Sequence, residues 1–458
     1  MRRKNAIISV SDKSNLNSVL KILKKYNFNI ISSGGTFNEI KKKGFKSIEV
    51  SNFTGFPEIL NGRVKTLHPK IHAGILNKRN KKNHKVQMKR NNFENIDLVI
   101  VNFYPFERII NETSNQEKII ENIDIGGPSL ARAAAKNFNF VTVITNTNQY
   151  GSLENELKKF NGNTSLNFRK KMSKEAFSET GQYDALISNY LQRQTNDFFP
   201  EKKILSLTKK EDLRYGENPH QASALYCLKS GLENVSSISG KKLSYNNYND
   251  YLTALQISRS LPKNRGTVII KHASPCGVSI NNNKLKSFDE AYNCDPLSAF
   301  GGIVSFNFKV NKDLALKIKK LFIEVISGEG FEKNAVKILK KKKNLRIIDS
   351  SKINFKNFNS YNSIFDNFLV QTSDINKFSK NNFFVASKKK PSKKTFNNLI
   401  FTFNICRFVK SNSIVLSQNF KTIGIGSGQP SRLDSCLIAI EKMKKNRLKN
   451  NNDEICAA

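Results

Sequence analysis

The chain reads Phe28-Asn29-Ile30-Ile31-Ser32-Ser33-Gly34-Gly35-Thr36 early in its length. Phe28–Ile31 is short and apolar enough for a strand. It runs straight into a glycine turn that opens a helical pattern. Upstream, Ala6–Val10 has the same strand character. Between the two, Leu16, Val19, Leu20 and Leu23 fall on one helical face, with Ser14 placed as the N-cap. Downstream, Ile96–Phe103 is almost wholly apolar, as a strand buried on both faces of a parallel sheet must be. Phe140–Thr145 is another such run. Alternating strands and helices predict an α/β fold: an open parallel sheet with helices on both faces. Ligands of such sheets sit at the carboxyl ends of the strands.

At 458 residues the chain exceeds one ordinary core, so more than one domain is expected. Residues 195–210 are polar and contain Pro200, and the boundary is placed there, with domains at 1–196 and 197–458. In the second half Thr267–Lys271, Ile303–Phe306, Phe322–Ile326, Leu345–Ile348, Phe383–Ala386 and Ile414–Leu416 read as strands. Asp313–Lys320, Thr395–Phe408 and Leu433–Leu448 read as helices. Residues 350–380 carry little periodic signal, and the basic run at Lys388–Lys390 with Lys393 and Lys394 reads as a solvated surface.

Net charge is +39. Lysine is spread along the whole chain, which argues against nucleic acid as the partner. The field would still draw in anionic small molecules. The six cysteines have no short zinc-type spacing and no disulfide framework is expected. The five histidines form no ligand cluster, and Pro69 interrupts His68 and His72, so no metal is expected. No apolar run reaches eighteen residues, and Ala6–Val10 is too short for a signal segment. A cytoplasmic protein without membrane partners is the expectation.

Several segments have the composition of chemical sites. Ser32–Thr36 suits a phosphate, through backbone N–H groups and hydroxyls at a helix start; a plain tight turn accounts for it equally well. In Gly62–Pro69, Arg63 and Lys65 would share one side of an extended segment, next to Thr66; ordinary surface charge is the alternative. Tyr104 follows the end of the Ile96–Phe103 strand. Asp124 precedes Gly126-Gly127-Pro128, which opens a helix whose free amides can hold an oxyanion. Lys136 lies further along that helix. In the second half, an apolar strand ends in Lys271 and His272, a pair suited to proton transfer. Ile423–Arg432 repeats the order strand, glycine loop, helix, without the lysine of an ATP-binding loop. Cys276 reads as structural.

Taken in order, Val10–Lys13, Ser33–Thr36, Thr54–Glu58, Gly62–Pro69, Asn102–Phe106, Asn122–Pro128 and Ala134–Asn137 resemble one family. Arg214–Gln221, Lys271–Gly277, Asp295–Gly302, Lys410–Asn412 and Ile423–Arg432 continue the match over nearly the whole chain. The family is the bifunctional phosphoribosylaminoimidazolecarboxamide (AICAR) formyltransferase / IMP cyclohydrolase. The resemblance implies a methylglyoxal-synthase-like cyclohydrolase domain over 1–196. It implies tandem cytidine-deaminase-like formyltransferase subdomains over 197–458, without zinc, the last one incomplete. It also implies a homodimer, with 10-formyltetrahydrofolate, AICAR and the formylated product FAICAR as small-molecule substrates.

For the cyclohydrolase, the resemblance implies that Ser11, Lys13, Ser33, Gly34, Gly35, Thr36, Arg63 and Thr66 bind substrate. Lys65, Tyr104, Asp124 and Lys136 would carry catalysis, with the amides of Gly126 and Gly127 at the oxyanion. For the transferase it implies Lys271 and His272 as catalytic groups, with Arg214, Tyr215, Asn412 and Arg432 binding. The family pattern departs at Asp366-Asn367, where a Gly-Gly is expected, and near Phe403, where a tryptophan is expected. Family segments that supply folate and nucleotide contacts do not follow Glu441-Lys442-Met443. Unsatisfied sheet edges and an impaired or lost formyl transfer, with cyclisation intact, are therefore the expectation. The alternatives at this stage are a chain retaining cyclisation alone, a non-catalytic purine-nucleotide binder and a basic nucleic-acid binder.

Overall fold

The computed structural model describes residues 3–195, 197–228, 237–353, 359–374, 376, 378–446 and 454–458. They divide into two compact units, Met1–Ser206 and Leu207–Ala458. Residue 196, the end of the first expected domain, lies outside the described residues.

Unit 1 begins with β1 (Lys4–Val10), α1 (Leu16–Lys25), β2 (Phe28–Ser32), α2 (Gly34–Lys42), β3 (Ile48–Glu49) and α3 (Val50–Thr54). It continues with α4 (Pro69–Leu76), α5 (Lys82–Arg90), β4 (Leu98–Asn102), α6 (Phe106–Glu112), α7 (Gln116–Glu121) and α8 (Gly126–Lys136). It ends with β5 (Thr142–Ile144), α9 (Tyr150–Lys159) and α10 (Leu166–Gln194). The strands form one parallel sheet in the order β3-β2-β1-β4-β5. The chain winds outward from β1 to β3, then crosses to β4 on the other side of β1. The switch point, where a crevice opens at the carboxyl ends, therefore falls between β1 and β4. The sheet is buried on both faces: Ala6, Ile7 and Ile8 are fully inaccessible, as are Ile31 and Val99.

Leu16, Val19, Leu20 and Leu23 are buried on α1 as expected. The cap differs. Ser14 turns back, its N–H donating to Asp12 Oδ1. Asn15 occupies the cap position in a left-handed conformation without a side-chain cap bond. An Asx turn competes with capping for the same donors, and here it takes Ser14.

Unit 2 opens with β6 (Leu207–Asp212), β7 (Ala224–Leu228), β8 (Ser237–Ser239), α11 (Tyr245–Ser260), β9 (Gly266–Lys271) and β10 (Ser274–Ile280). Then come α12 (Lys284–Cys294), α13 (Pro296–Ala299), β11 (Ile303–Phe306), α14 (Lys312–Lys319), β12 (Val325–Gly328), α15 (Lys333–Leu339) and β13 (Arg346–Asp349). The remainder is β14 (Asn359–Ile364), β15 (Asn367–Thr372), α16 (Lys393–Cys406), β16 (Ile414–Gln418), β17 (Lys421–Gly426), α17 (Arg432–Lys445) and β18 (Cys456–Ala457). Among the described residues the main sheet is mixed and continuous, in the order β18-β16-β17-β10-β9-β11-β12-β13-β8.

Four sequence expectations shift here. Phe383–Ala386 is not a strand; Phe383 instead packs its ring against Phe378 and Phe403. The strand expected at Phe322–Ile326 starts only at Val325, and Phe322 is exposed. Residues 350–380 contain a hairpin, β14–β15, turning at Phe365-Asp366. Its strands are largely exposed and face no core, so they leave no alternating signature. The last helix ends at Lys445; residues 447–453, including the expected end at Leu448, lie outside those described. The outer side of β16 is paired with β18: Val415 and Ala458 exchange backbone hydrogen bonds, and Cys456 is buried.

Gly424 and Gly426 let α17 lie directly on β17. A Cβ on either would overlap the carbonyl oxygen of Ala439 or Ser435. Gly426→Ala is therefore expected to destabilise unit 2 by about 1–3 kcal/mol, the usual cost of overpacking. Gly151→Ala, in open space on α9, should raise stability by up to ~1 kcal/mol. Chemical denaturation of both variants checks the opposite signs.

Candidate active sites

The unit 1 site grows from the ends of β1, β2 and β4. Asn102, last residue of β4, accepts the N–H groups of Ser11 and Asp12 on Oδ1 at 2.7 and 2.9 Å. Its Nδ2 donates back to Asp12 O. One amide thus bolts the loop after β1 to the switch point. Thr36 Oγ1 donates to Val10 O and accepts Val10 N, both at 3.1 Å, which fixes the start of α2 beside that loop.

Gly34 and Gly35 open α2 with cations above them. A side chain at Gly34 would put its Cβ 3.7 Å from Lys65 Nζ, and one at Gly35 would reach 3.9 Å from Lys13 Nζ. Gly34 also has φ +50°, which a bulkier residue tolerates poorly. Ser33, only 5% exposed, has a buried Oγ with no hydrogen-bond partner. Buried hydroxyls are normally satisfied, so an orphan at a helix start flanked by two ammonium groups fits an anion.

On the other side of the crevice, Thr66 is buried, and its Oγ1 lies 2.8 Å from where a Gly126 Cβ would be. Asp124 Oδ1 accepts Gly127 N at 2.8 Å. The Asp124 N–H donates to Tyr183 Oη at 2.8 Å, and that phenol donates on to Asn122 O. The Tyr183 ring packs 5.2 Å from Phe103. Burial pushes its phenol up to about 12, so it stays protonated.

Burial also pushes the Asp124 carboxyl above the ordinary carboxylate range. The Gly127 and Tyr104 amides and the Lys65 charge pull the other way. Tyr104 follows β4 with a partly exposed ring.

One unit 1 expectation is corrected. Gly62–Pro69 is not extended: the 3₁₀ turn Leu60–Gly62 has positive φ at all three residues, and Arg63 then switches to the right-handed helical region. Arg63 and Lys65 therefore have separate carboxylates, Arg63 pairing with Glu121 and Lys65 lying 3.8 Å from Glu58. Lys136 is the last residue of α8, ten residues beyond Gly126. At ~1.5 Å rise per residue it stands about 15 Å along the axis, beyond a lysine's reach of the Gly126 amide.

In unit 2, Lys271 ends β9 and His272 begins the turn to β10. Lys271 Nζ donates to Phe300 O at 2.7 Å, joining the turn to the Asp295–Gly302 segment. Ser274 Oγ donates to Ser427 Oγ at 3.3 Å. Asn412 N donates to Gln429 O, and its Nδ2 to Pro430 O. The Lys271, Lys410–Asn412 and Ser427–Pro430 segments are thereby gathered. Arg432 opens α17, exposed, after Ser431 caps the helix.

Arg214 stacks on Tyr215, 5.4 Å from its ring centre, and lies within electrostatic reach of Arg346, which pairs with Glu324. Buried Asp250 feels the same Glu324 and bonds the His272 turn.

Sequence reading did not single out Tyr183, Asp250, Glu324 or Arg346. Each acts on a segment distant in the chain, and no local spacing marks it. Asn102 had a signal, its place at a strand's carboxyl end.

A cavity of about 230 Å³ lies at the opposite, amino ends of β1, β2, β4 and β5. Its cations are already engaged: Lys4 and Arg169 donate to main-chain carbonyls and Arg79 pairs with Asp97. It reads as a polar seam away from the crevice. Among the described residues, no group of three His, Cys, Asp or Glu is placed to hold a metal ion. No helix among them is long and apolar enough to cross a membrane.

Fold and crevice together define an α/β protein with an anion cradle at a parallel-sheet switch point, followed by a mixed-sheet unit built around a Lys-His turn. The comparisons make that class specific. Residues 15–129 match the MGS-like domain, and residues 134–442 match the AICARFT/IMPCHase bienzyme. Proteins named "Bifunctional purine biosynthesis protein PurH" are similar along the chain. That of Prochlorococcus marinus (strain MIT 9515) is 42% identical over 453 residues, covering 96% of this chain and 87% of the relative. That of Persephonella marina is 42% identical over 456 residues, with the same coverage. That of Buchnera aphidicola subsp. Schizaphis graminum is 44% identical over 458 residues, covering 96% and 86%. The chain belongs to the AICARFT/IMPCHase bienzyme family.

The raised Asp124 carboxyl has a consequence for stability. A group that holds its proton more tightly folded than unfolded favours the folded state most below its unfolded pKa. That advantage is lost as pH rises through the folded pKa. Asp124→Asn cannot ionise, so it should raise the melting temperature near pH 7 and lose that gain below about pH 4. Melts at the two pH values check this; an equal shift at both contradicts it.

Proposed function

We propose that this chain catalyses the last two steps to inosine monophosphate. A formyl group passes from 10-formyltetrahydrofolate to AICAR, and FAICAR then closes to the purine ring with loss of water. The observation that carries the reading is the unit 1 crevice. It sets a cationic, amide-rich phosphate cradle opposite a half-buried carboxyl with elevated proton affinity.

In this reading the ribose phosphate lies on the amides of Gly34 and Gly35. Ser33 Oγ, whose lone pairs and proton have no other use, and the Lys13 ammonium complete its shell, with Ser11 and Thr66 flanking the ribose. The carboxamide nitrogen adds to the formyl carbon, and the formyl oxygen gathers charge. The Gly126 amide and the Lys65 ammonium stabilise that oxygen, while the Gly127 amide expected beside them is already held by Asp124. Asp124, whose burial strengthens its hold on a proton, moves the proton that lets water leave, with Tyr104 beside it. Arg63, held by Glu121, is assigned to the rim. Lys136, ten residues along α8 from Gly126, is given no step at the formyl oxygen.

In unit 2 the amine of AICAR attacks the formyl carbon of the folate. A C–N bond forms, the bond from that carbon to the folate nitrogen breaks, and that nitrogen takes up a proton. His272 is the group proposed to receive the amine proton, and Lys271 the charge that steadies the transition state. Asn412 orients the formyl group, and Arg214, Tyr215 and Arg432 bind the anionic substrate. Folate is thus a co-substrate. A homodimer and a cytoplasmic setting are inferred from the family resemblance.

Assaying the two half-reactions separately on the full chain tests the division of labour. Lys65→Ala is expected to lower ring closure of supplied FAICAR by about 10²–10³-fold, the effect of losing one oxyanion donor, and to leave formyl transfer within about twofold. His272→Ala should do the reverse, lowering formyl transfer by about 10²–10⁴-fold. Loss of both activities in either variant would contradict separate sites.

A further inference from the structure

The turn that presents His272 is under conformational strain. His272 and Ala273 are the two central residues between paired Lys271 and Ser274, and both have positive φ, 53° and 54°. Two such residues define the hairpin turn that prefers Asn-Gly or Asp-Gly. Here neither residue is of that kind. Each left-handed non-glycine position is disfavoured by contact of its Cβ with the backbone and persists only where the surroundings enforce it.

The enforcing group comes from another element. Asp250 sits inside α11, 8% exposed. Its Oδ2 accepts His272 N at 3.2 Å and its Oδ1 accepts Ala273 N at 2.5 Å. Aspartate is a poor helix-interior residue, and the recorded hydrogen bonds of this one both go to the turn. Its two oxygens match two consecutive amides that the hairpin ladder leaves free. The imidazole itself stays exposed.

We propose that Asp250 is a positioning residue for formyl transfer, holding the strained His272-Ala273 turn so that the imidazole is aimed at the transferring group. This rests on the reading of His272 as the transferase base. Asparagine at 250 keeps one acceptor and turns an amide N–H₂ toward the other N–H, so the two-point hold is lost. A misaimed base slows chemistry without removing binding contacts.

The test compares formyl transfer by the full chain carrying Asp250→Asn, His272→Ala, both, and Asp250→Asn with Ala273→Gly. Asp250→Asn should lower kcat by about 10–10²-fold and change KM for AICAR less than threefold. The double variant D250N/H272A should be no slower than H272A alone, because one residue acts through the other. Glycine at 273 adopts positive φ without strain, so D250N/A273G should recover a substantial part of kcat. Ring closure should be unchanged throughout.

Additive losses in the double variant, or no recovery with glycine, would overturn the positioning role. Full formyl transfer by H272A would instead overturn the assignment of His272, a separate failure. Should D250N fail to fold, Asp250→Glu puts the same question: it keeps the charge and moves the carboxylate by one methylene. A kcat loss relieved by A273G supports the proposal, and undiminished kcat refutes it.

Discussion

Backbone amides that secondary structure leaves unpaired, and the single side chains that take hold of them, determine where chemistry sits in this protein. Asn102 closes on the amides of Ser11 and Asp12, Asp124 on that of Gly127, and Asp250 on those of His272 and Ala273. In each case a strand has ended or a helix is about to begin, and the chain must turn with its N–H groups exposed. An unpaired buried amide is costly, so a carboxylate or carboxamide from elsewhere fixes the loop. Loops fixed this way become rigid enough to hold a substrate.

The two units apply the same constraint to different sheets. In unit 1 a parallel sheet supplies the crevice by topology alone, because the strand order reverses beside β1. Helix starts at Gly34 and Gly126 then point free amides into it from two sides. In unit 2 the central strands are antiparallel and no such crevice is given. A hairpin turn carries the reactive pair instead, and strained geometry is held by a helix behind it. The first arrangement suits gripping a phosphate. The second suits aiming one imidazole.

Much of this was legible in the chain. The strands of unit 1 announce themselves because they are buried on both faces and so almost wholly apolar. The glycine turns at Ser33–Thr36 and Gly126–Pro128 stand out because few residues tolerate those positions. Capping by Ser14 was misread because an Asx turn with Asp12 satisfies the same donors. The β14–β15 hairpin escaped because it faces solvent on both sides and has no buried stripe. Arg63 and Lys65 were read as an extended pair, but a 3₁₀ turn lies just before them and rotates them apart. The holding residues Tyr183 and Asp250 left no local signature, because their meaning is set by partners 59 and 22 residues away.

A crystal structure of the chain with bound inosine monophosphate addresses the central claim most directly. The account predicts the phosphate within hydrogen-bond distance of Ser33 Oγ and the Gly34 and Gly35 amides, with the base turned toward Asp124. A nucleotide seated instead in the cavity at the amino ends of the strands, among Lys4, Arg79 and Arg169, would contradict it.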